Sequence, residues 1–556
     1  MPEKKVKPGK EISGAQALVK LLKDLGVDVL FGYPGGANLP IYDALRENPI
    51  RHVLSRHEQG AVHMADGYAR LSGRPGVCLA TSGPGATNLV TGLANAFLDS
   101  IPLVTITAQI PRKMIGTDAF QEVDCFNITM PVTKHNELVL SEKDIVGAVK
   151  NAFYIANTGR KGPVLLDFPK DILDNPYAHD FDAEIPLPGY NPTLKGNIGQ
   201  IKKAIKAIKR AERPVILFGG GILAAGSRDE FLRFLDHTHI PVVRTLMGTG
   251  VIKSDDSRFI GMIGSHGNAI ANQVVRKEAD LIIAVGTRFG DRSIIKTELF
   301  AKNAKVIHID IDPAEIGKNI KIDIPIVGDI KEVLKDINER LEKNPIPRAI
   351  QWKKVGERKS ILPTFDSASV MKNIFEELSK IDIKLNISTD VGRHQMWANH
   401  FCTNAKHLPL ITSGGLGTMG FGLPAAIGAW FAEKETPVLS LSGDGSFMMN
   451  MQEFSVAVEE EVPLTVILLN DRRLGMIKEL QTTKYAKRFI AHELGSRMNF
   501  ALLAEAMGGV GIDVHHHSKI KSSIEGAISS RKPTIINFDL EKIESSLNLS
   551  LSSAVS

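Results

Sequence analysis

The chain has 556 residues, 43% of them hydrophobic and 23% charged, and a formal net charge of +5. That length exceeds what one hydrophobic core supports, so about three or four domains are expected. The composition is that of a globular protein and excludes disordered, collagen-like and membrane classes. The small positive charge is scattered or paired with acids, which gives no basis for nucleic-acid binding and leaves anionic small substrates open. The longest apolar stretches, such as Leu423 to Ala432, are interrupted by Pro424 and Gly428. They fall short of the roughly 18 residues that span a bilayer, so no membrane partner is expected. The opening residues Met1 to Lys7 are basic and lack the apolar core of a secretory signal, and read as a solvated tail. Cys78, Cys125 and Cys402 are far apart and form no Cys-x-x-Cys pair. A disulfide framework or zinc site is therefore not expected, and a cytoplasmic location fits.

In chain order, short apolar strands at Val27–Phe31, Gly76–Ala80 and Val164–Asp167 alternate with helical stretches over residues 11–180. Such alternation predicts a parallel α/β domain. The turn-rich segment Leu187 to Pro192 separates it from a second series over residues 195–342, with a lysine-rich helix near Ile201–Ala211 and strands at Val215–Phe218, Ile240–Arg244, Leu281–Val285 and Val306–Ile311. A polar linker at Asn344–Arg348 leads to a third series over residues 364–544, with strands at Asn386–Thr389, Pro437–Leu441, Leu464–Leu469 and Thr534–Phe538. The fold class predicted is α/β, three consecutive doubly wound parallel-sheet domains. The serine-rich end from Ser545 reads as frayed.

The strand at Pro437–Leu441 runs into Gly443-Asp444-Gly445, a helical stretch at Gln452–Glu460, and a second strand ending at Asn470-Asp471. In a βαβ unit both strands are parallel, so Asp444 and Asp471 emerge at the same carboxyl edge, where α/β proteins bind ligands. Two carboxylates there suit a hard divalent ion such as Mg2+ bridging to phosphate oxygens, with glycines letting the backbone approach. Taken by itself, a helix cap at Asp444 between two turn glycines explains the motif equally well.

Farther upstream, Arg56-His57-Glu58 opens a helix after a strand, with Glu58 in its first turn. A carboxylate there is favoured by the helix dipole, which alone accounts for it structurally. Gly35-Gly36-Ala37 and Ser82-Gly83-Pro84 through Asn88 sit at two further strand-to-helix junctions and read as glycine turns in isolation.

Together these segments resemble the thiamine-diphosphate enzymes. The signature Gly-Asp-Gly followed by Asn-Asn is present with Asp471 at the second Asn. Over nearly the whole chain, the runs Ile115 to Glu122, Arg393 to Trp397 and Ser413 to Gly422 resemble the acetolactate synthase large subunits. The resemblance implies that thiamine diphosphate and Mg2+ are cofactors and that Glu58 holds the N1′ proton of the aminopyrimidine. Gly36, Ala37, Pro84 and Asn88 would line that ring, and Gly417 and Met419 would also bind the cofactor, with Met419 wedged under it to bend it. Asp444, Asp471 and the backbone carbonyl of Arg473 would bind the metal. Val391, Gly392, Arg393, His394, Gly443, Gly445 and Ser446 would hold the diphosphate, with Leu474, Gly475, Met476 and Ile477 at a helix N-terminus. Gln121 and Lys170 would sit by the substrate and Phe120 in its access channel. Core packing for Met419 and Phe120, and a surface charge for Lys170, are the ordinary alternatives.

In the middle series, Gly220, Leu246, Met247, His266, Arg288, Asp291 and Arg292, with Arg160 from the first, resemble the elements that border FAD in the biosynthetic synthases. Gly290 replaces an aspartate of that pattern, and Leu480 replaces a tryptophan that favours 2-oxobutanoate as acceptor. The activity implied is decarboxylation of pyruvate and transfer of its two-carbon unit to a second 2-oxo acid, with FAD structural. A homodimer or homotetramer is implied, with Glu58 and the diphosphate site contributed by different chains, and a small regulatory subunit as partner. A flavin-dependent pyruvate oxidase and a non-catalytic cofactor-binding paralogue are the competing readings. His515-His516-His517 reads as a polar loop, because adjacent histidines rarely converge on one ion.

Overall fold

The computed structural model describes residues 12–178, 180–181, 187–346, 368–401, 410–495 and 498–546. Three six-stranded sheets follow one another, all parallel. The first contains β1 (Val29–Gly32), β2 (Arg51–Leu54), β3 (Gly76–Ala80), β4 (Leu103–Gln109), β5 (His135–Leu138) and β6 (Pro163–Pro169), in the order β2-β1-β3-β4-β6-β5. The second contains β7 (Pro214–Phe218), β8 (Val242–Arg244), β9 (Phe259–Met262), β10 (Leu281–Val285), β11 (Lys305–Asp310) and β12 (Ile324–Val327), ordered β9-β8-β7-β10-β11-β12. The third contains β13 (Asn386–Thr389), β14 (Ile411–Thr412), β15 (Val438–Gly443), β16 (Leu464–Asn470), β17 (Val510–Val514) and β18 (Thr534–Asp539), ordered β14-β13-β15-β16-β18-β17. The outer sheets thus share one topology, and the middle one has the strand order of dinucleotide-binding folds.

Central strands such as β4, β6, β10 and β16 are buried at every residue, which follows from helices covering both faces. The covering helices carry the expected signals. At the start of Gly14–Asp24, Ser13 and Gln16 form a reciprocal capping box. The helix Ile198–Arg210 buries Ile201, Ala204 and Ile208 on one face and ends in Lys209 and Arg210, where cations suit the dipole.

Site-bearing helices are α1 (Glu58–Ser72), α2 (Pro84–Asn88), α3 (Val90–Asp99), α4 (Arg393–Phe401), α5 (Gly422–Ala432), α6 (Asp444–Asn450) and α7 (Gly475–Lys484). By compactness the chain forms two units, one of residues 1–190 with 415–435 and 450–462, the other of 191–414 with 436–449 and 463–556. The first sheet therefore shares its unit with α5, although α5 lies far downstream. Glycines permit the packing. A Cβ on Gly67 of α1 would collide with the Ala425 carbonyl, and one on Gly428 of α5 with the Met64 carbonyl. The apolar run at Leu423–Ala432 is thus a helix buried on nearly all sides. Among the described residues, no helix is long and apolar enough to cross a membrane.

Several expectations are corrected in detail. The first strand lies at Val29–Gly32 rather than Val27–Phe31. The stretch expected as one helix at Gln452–Glu460 is a 3-10 turn, Met451–Glu453, followed by a helix at Phe454–Glu459. Ser545 and Ser546 are not frayed, since residues 540–546 are helical with Ile543 buried beneath them. The residues from Leu547 onward lie outside the described residues, as do Cys402, Met1 to Lys7 and Pro347-Arg348 of the linker. Cys78 and Cys125 are buried and free.

Candidate active site

In the first unit, β2 and a short turn deliver α1 with Glu58 as its first residue. His57 precedes it in extended conformation, and its side chain accepts from the Gln59 N–H. Asn88, at the end of α2, donates its Nδ2–H to Glu58 Oε2 at 2.9 Å. Pro84 opens α2, where a missing N–H costs nothing. Gly83, at φ 59, packs against the backbone of Gln121, itself left-handed at φ 61. A Cβ on Gly83 would stand 2.8 Å from the Gln121 carbonyl, so this glycine lets the Gln121 loop close on the Glu58 cluster.

The loop that carries Met419 is fixed in the same unit. The Gly415 N–H donates to Asp99 Oδ1 at 2.7 Å, Thr418 Oγ1 donates to Asn95 Oδ1 at 3.2 Å, and Asn450 Nδ2 donates to the Gly420 carbonyl at 2.8 Å. Buried Arg70 bridges Asp66 and Asp99 and lies 5.2 Å from the Phe421 ring centroid. Phe120 is 86% exposed, which removes the core-packing alternative for it within this unit. Lys170 begins a short helix after β6 and pairs with Asp174 at 2.6 Å. Ala37 is buried, and a Cβ on Gly36 would meet nothing within 4 Å, so an open space lies beside that turn.

In the second unit, β15 and β16 are adjacent and parallel, with Gly443 opposite Leu469, so Asp444 and Asp471 leave the same edge. Asp444 begins α6. Its Oδ1 accepts from the Gly445 N–H at 2.9 Å, while Oδ2 is buried without a hydrogen-bond partner. Burial, followed by the neighbouring Asp471 charge, pushes the Asp444 carboxyl up to about 7. Asp471 accepts from the Arg473 N–H at 3.1 Å and pairs with Arg393 Nη2 at 2.5 Å. A helix cap uses only one oxygen of Asp444, and the unused buried oxygen beside a second carboxylate fits a divalent cation. Among the described residues, no group of three His, Cys, Asp or Glu side chains could hold a metal. The remaining ligands of such a cation would be main-chain, phosphate or water oxygens.

Around this pair lie the elements suited to a diphosphate. His394 is buried with Nε2 unpartnered, and burial pushes its ring down to about 4, so it is neutral. A Cβ on Gly443 would stand 3.3 Å from that ring. Ser446 Oγ donates to the Val391 carbonyl at 2.8 Å and fixes the loop before α4. Gly475 is the first residue of α7, with Leu474 at the N-cap and no side-chain cap, so its first N–H groups are available to an anion. Arg393 lies close over Gly475. Ile477 and Leu480 on α7 are exposed.

The middle sheet changes direction between β7 and β10, and Gly220 and Arg288 follow those two strands. A crevice at that switch point is where a dinucleotide binds. A Cβ on Gly220 would stand 3.0 Å from Met247 Cβ, and one on Gly414 would strike the Met247 thioether. Leu246 opens the 3-10 turn that carries Met247. The His266 carbonyl accepts from His400 Nε2 at 3.0 Å. Asp291 and Arg292 project into solvent, 91% and 80% exposed, beside Gly290. Arg160, by contrast, belongs to the first unit, where Nε donates to Ser100 Oγ at 3.0 Å.

Three buried charged residues beside these elements were not singled out by the sequence. Asp390, buried at the end of β13, accepts from the Val391 N–H and from Ser442 Oγ. Glu453 is buried against the start of α1. Arg244 is a buried guanidinium bonded to Asn399 at 2.6 and 2.9 Å, which burial pushes down to about 9. The carboxyl-edge rule signals Asp390, whereas nothing local signals the other two.

Three segments of the chain match families of known proteins. Residues 12–128 match the thiamine pyrophosphate enzyme N-terminal TPP binding domain, 201–337 the central domain, and 390–538 the C-terminal TPP binding domain. The chain is 44% identical over 548 residues to a probable acetolactate synthase large subunit of Methanocaldococcus jannaschii, covering 96% of this chain and 93% of that one. It is 43% identical to the acetolactate synthase large subunit of Haemophilus influenzae, covering 95% of each, and 44% identical to an acetolactate synthase of Mycobacterium bovis, covering 95% and 88%. With its three matched domains and this similarity along nearly its full length, the chain belongs to the acetolactate synthase large-subunit family of thiamine pyrophosphate enzymes.

Proposed function

We propose that this chain is a thiamine-diphosphate-dependent acetolactate synthase of branched-chain amino acid biosynthesis, with Glu58 as its activating acid. Pyruvate loses carbon dioxide, and the two-carbon unit is transferred to the ketone of a second 2-oxo acid, giving 2-acetolactate when that acid is also pyruvate. The observation that carries this reading is the Glu58 carboxyl held by Asn88 at the start of a helix, in a chain of this family. Thiamine diphosphate, when bound, supplies the electron sink for decarboxylation.

The remaining work belongs to the chain. With the cofactor bound, Glu58 would hold the proton at the aminopyrimidine N1′, its carboxylate oriented by the hydrogen bond from Asn88. Asp444, Asp471 and the Arg473 carbonyl would hold Mg2+ against the diphosphate, with the α7 N-terminus and His394 beside it. Gln121 and Lys170 would orient the substrates, Phe120 would line their entry, and Met419 would set the cofactor's bend. FAD would occupy the middle-domain crevice in a structural role. Each copy would give its Glu58 half to one site and its diphosphate half to another in a homodimer, with a small subunit as regulatory partner.

Leu480 offers no flat aromatic surface to a larger acceptor. A change of this size alters discrimination by about 1–3 kcal/mol, so pyruvate is the favoured acceptor. The test is to incubate the protein with Mg2+, thiamine diphosphate and pyruvate, with and without FAD and with 2-oxobutanoate in competition. Mainly acetolactate is expected. Oxygen consumption with acetyl phosphate or acetate as product would favour a flavin-dependent oxidase instead.

A further inference from the structure

Glu453 ends the 3-10 turn Met451–Glu453 and is fully buried. Both of its carboxylate oxygens lie 3.1 Å from the Arg56 backbone N–H, and the His57 backbone also donates to it. The guanidinium of Arg56 is engaged elsewhere, donating to the Leu54 carbonyl at 2.8 Å and pairing with Glu459. Gly60, on the same first turn as Glu58, leaves the space that Glu453 fills. A Cβ there would stand 2.5 Å from Glu453 Cδ and 2.8 Å from Cγ. A buried carboxyl is thus pressed against the two residues and the helical turn that deliver Glu58.

Burying an acid to accept backbone N–H groups is costly when a neutral amide could accept them too. We propose that Glu453 is a positioning residue for the thiamine reaction, fixing the Arg56-His57 turn and coupling its own charge to the proton held by Glu58. This rests on the reading of Glu58 as the acid at N1′. Burial pushes the Glu453 carboxyl up to about 7, with the Glu58 charge adding to that rise and Arg56 opposing it. The charged groups around it are Arg56 and Glu58 at the helix start and Glu459, which holds Arg56. Arg51 pairs with the adjacent Glu460. The helix α5, which also packs on this turn, carries no titratable side chain. Near neutral pH, Glu453 is therefore poised between its two charge states beside the catalytic acid.

The test uses the holoenzyme with Mg2+ and measures exchange of the thiazolium C2 proton for deuterium between pH 5.5 and 8.5, alongside the dissociation constant for thiamine diphosphate. Glu453→Gln is expected to bind the cofactor nearly as the unmodified protein does. It should exchange about tenfold more slowly, the size of one lost charge-assisted contact, and lose the inflection near pH 7. In a Glu58→Gln background the same substitution should have no further effect, because it acts through Glu58. Gly60→Ala, which displaces the carboxyl without removing it, should slow exchange in the same way. Unchanged exchange and pH profile in Glu453→Gln and Gly60→Ala would overturn the proposal. So would an equal loss in both backgrounds. Rapid exchange in Glu58→Gln alone would instead sink the reading of Glu58.

Discussion

Asn88 and Glu58, thirty positions apart, are joined by an amide-to-carboxylate bond of 2.9 Å. Asn88 thereby engages Oε2, while a Cβ on Gly85 would stand 3.4 Å from Oε1, so the glycine keeps the other oxygen accessible. Replacing Asn88 by Ala removes a hydrogen bond to a charged group, worth about 1.5–3 kcal/mol. Turnover is expected to fall about 10- to 100-fold, a larger effect than the loss of thiamine diphosphate affinity, because Asn88 would line only the pyrimidine and the diphosphate residues are untouched. Steady-state kinetics and cofactor titration separate the two.

Asp444 and Asp471 make a second prediction. Asp444→Ala should abolish Mg2+-dependent cofactor binding, a larger loss than the about 10–100-fold typical when a metal ligand's supporting partner is removed. Asp471→Asn keeps an oxygen and frees Arg393, so it should bind more weakly than the unmodified protein but better than Asp444→Ala. Fluorescence titrations with thiamine diphosphate at fixed Mg2+, and after chelation, give the order; equal affinities in all three proteins would refute it.

The α1 and α5 helices touch through glycine. Gly428→Val would drive a side chain into the Met64 carbonyl, and Gly67→Val another into that of Ala425. Overpacking of this kind costs about 1–3 kcal/mol or more, and here the obstacle is backbone. Thermal unfolding should show lowered midpoints for each variant, whereas Gly26→Ala, at a left-handed turn in open space, should cost less.

His63 is buried on α1 with Nδ1 unpartnered and its ring edge-on to Phe421. Burial, assisted by Arg70, pushes it down to about 3. A depressed base is neutral in the folded protein, so its contribution is intact above the unfolded value of about 6.5 and is lost as pH falls toward 3. At pH 5 the loss is about 2 kcal/mol. Unfolding midpoints at pH 7 and pH 5 should therefore differ less in His63→Leu than in the unmodified protein.

Much of this was legible in the sequence. Parallel strands place whatever follows them at one edge, so Asp444, Asp471 and Glu58 could be located from strand-helix alternation, and resemblance supplied their chemistry. Pairings across long sequence separations could not be read. Glu453 looks like any surface glutamate of a helix, and only the fold brings it to Arg56. Arg244 would be taken for an exposed strand end, yet it is buried against Asn399. The apolar segment at Leu423–Ala432 announced burial but not its partner, because the two glycines that admit α1 have no distinctive local signal.

The most direct test of the account compares the purified protein with its Glu58→Gln variant, both saturated with thiamine diphosphate and Mg2+, for acetolactate formed from pyruvate. The unmodified protein should make acetolactate with one carbon dioxide released per product, and the variant, still binding cofactor, should be slower by about 100-fold or more, as expected for loss of a positioned acid. Acetolactate formation at the same rate in both proteins would contradict the role assigned to Glu58.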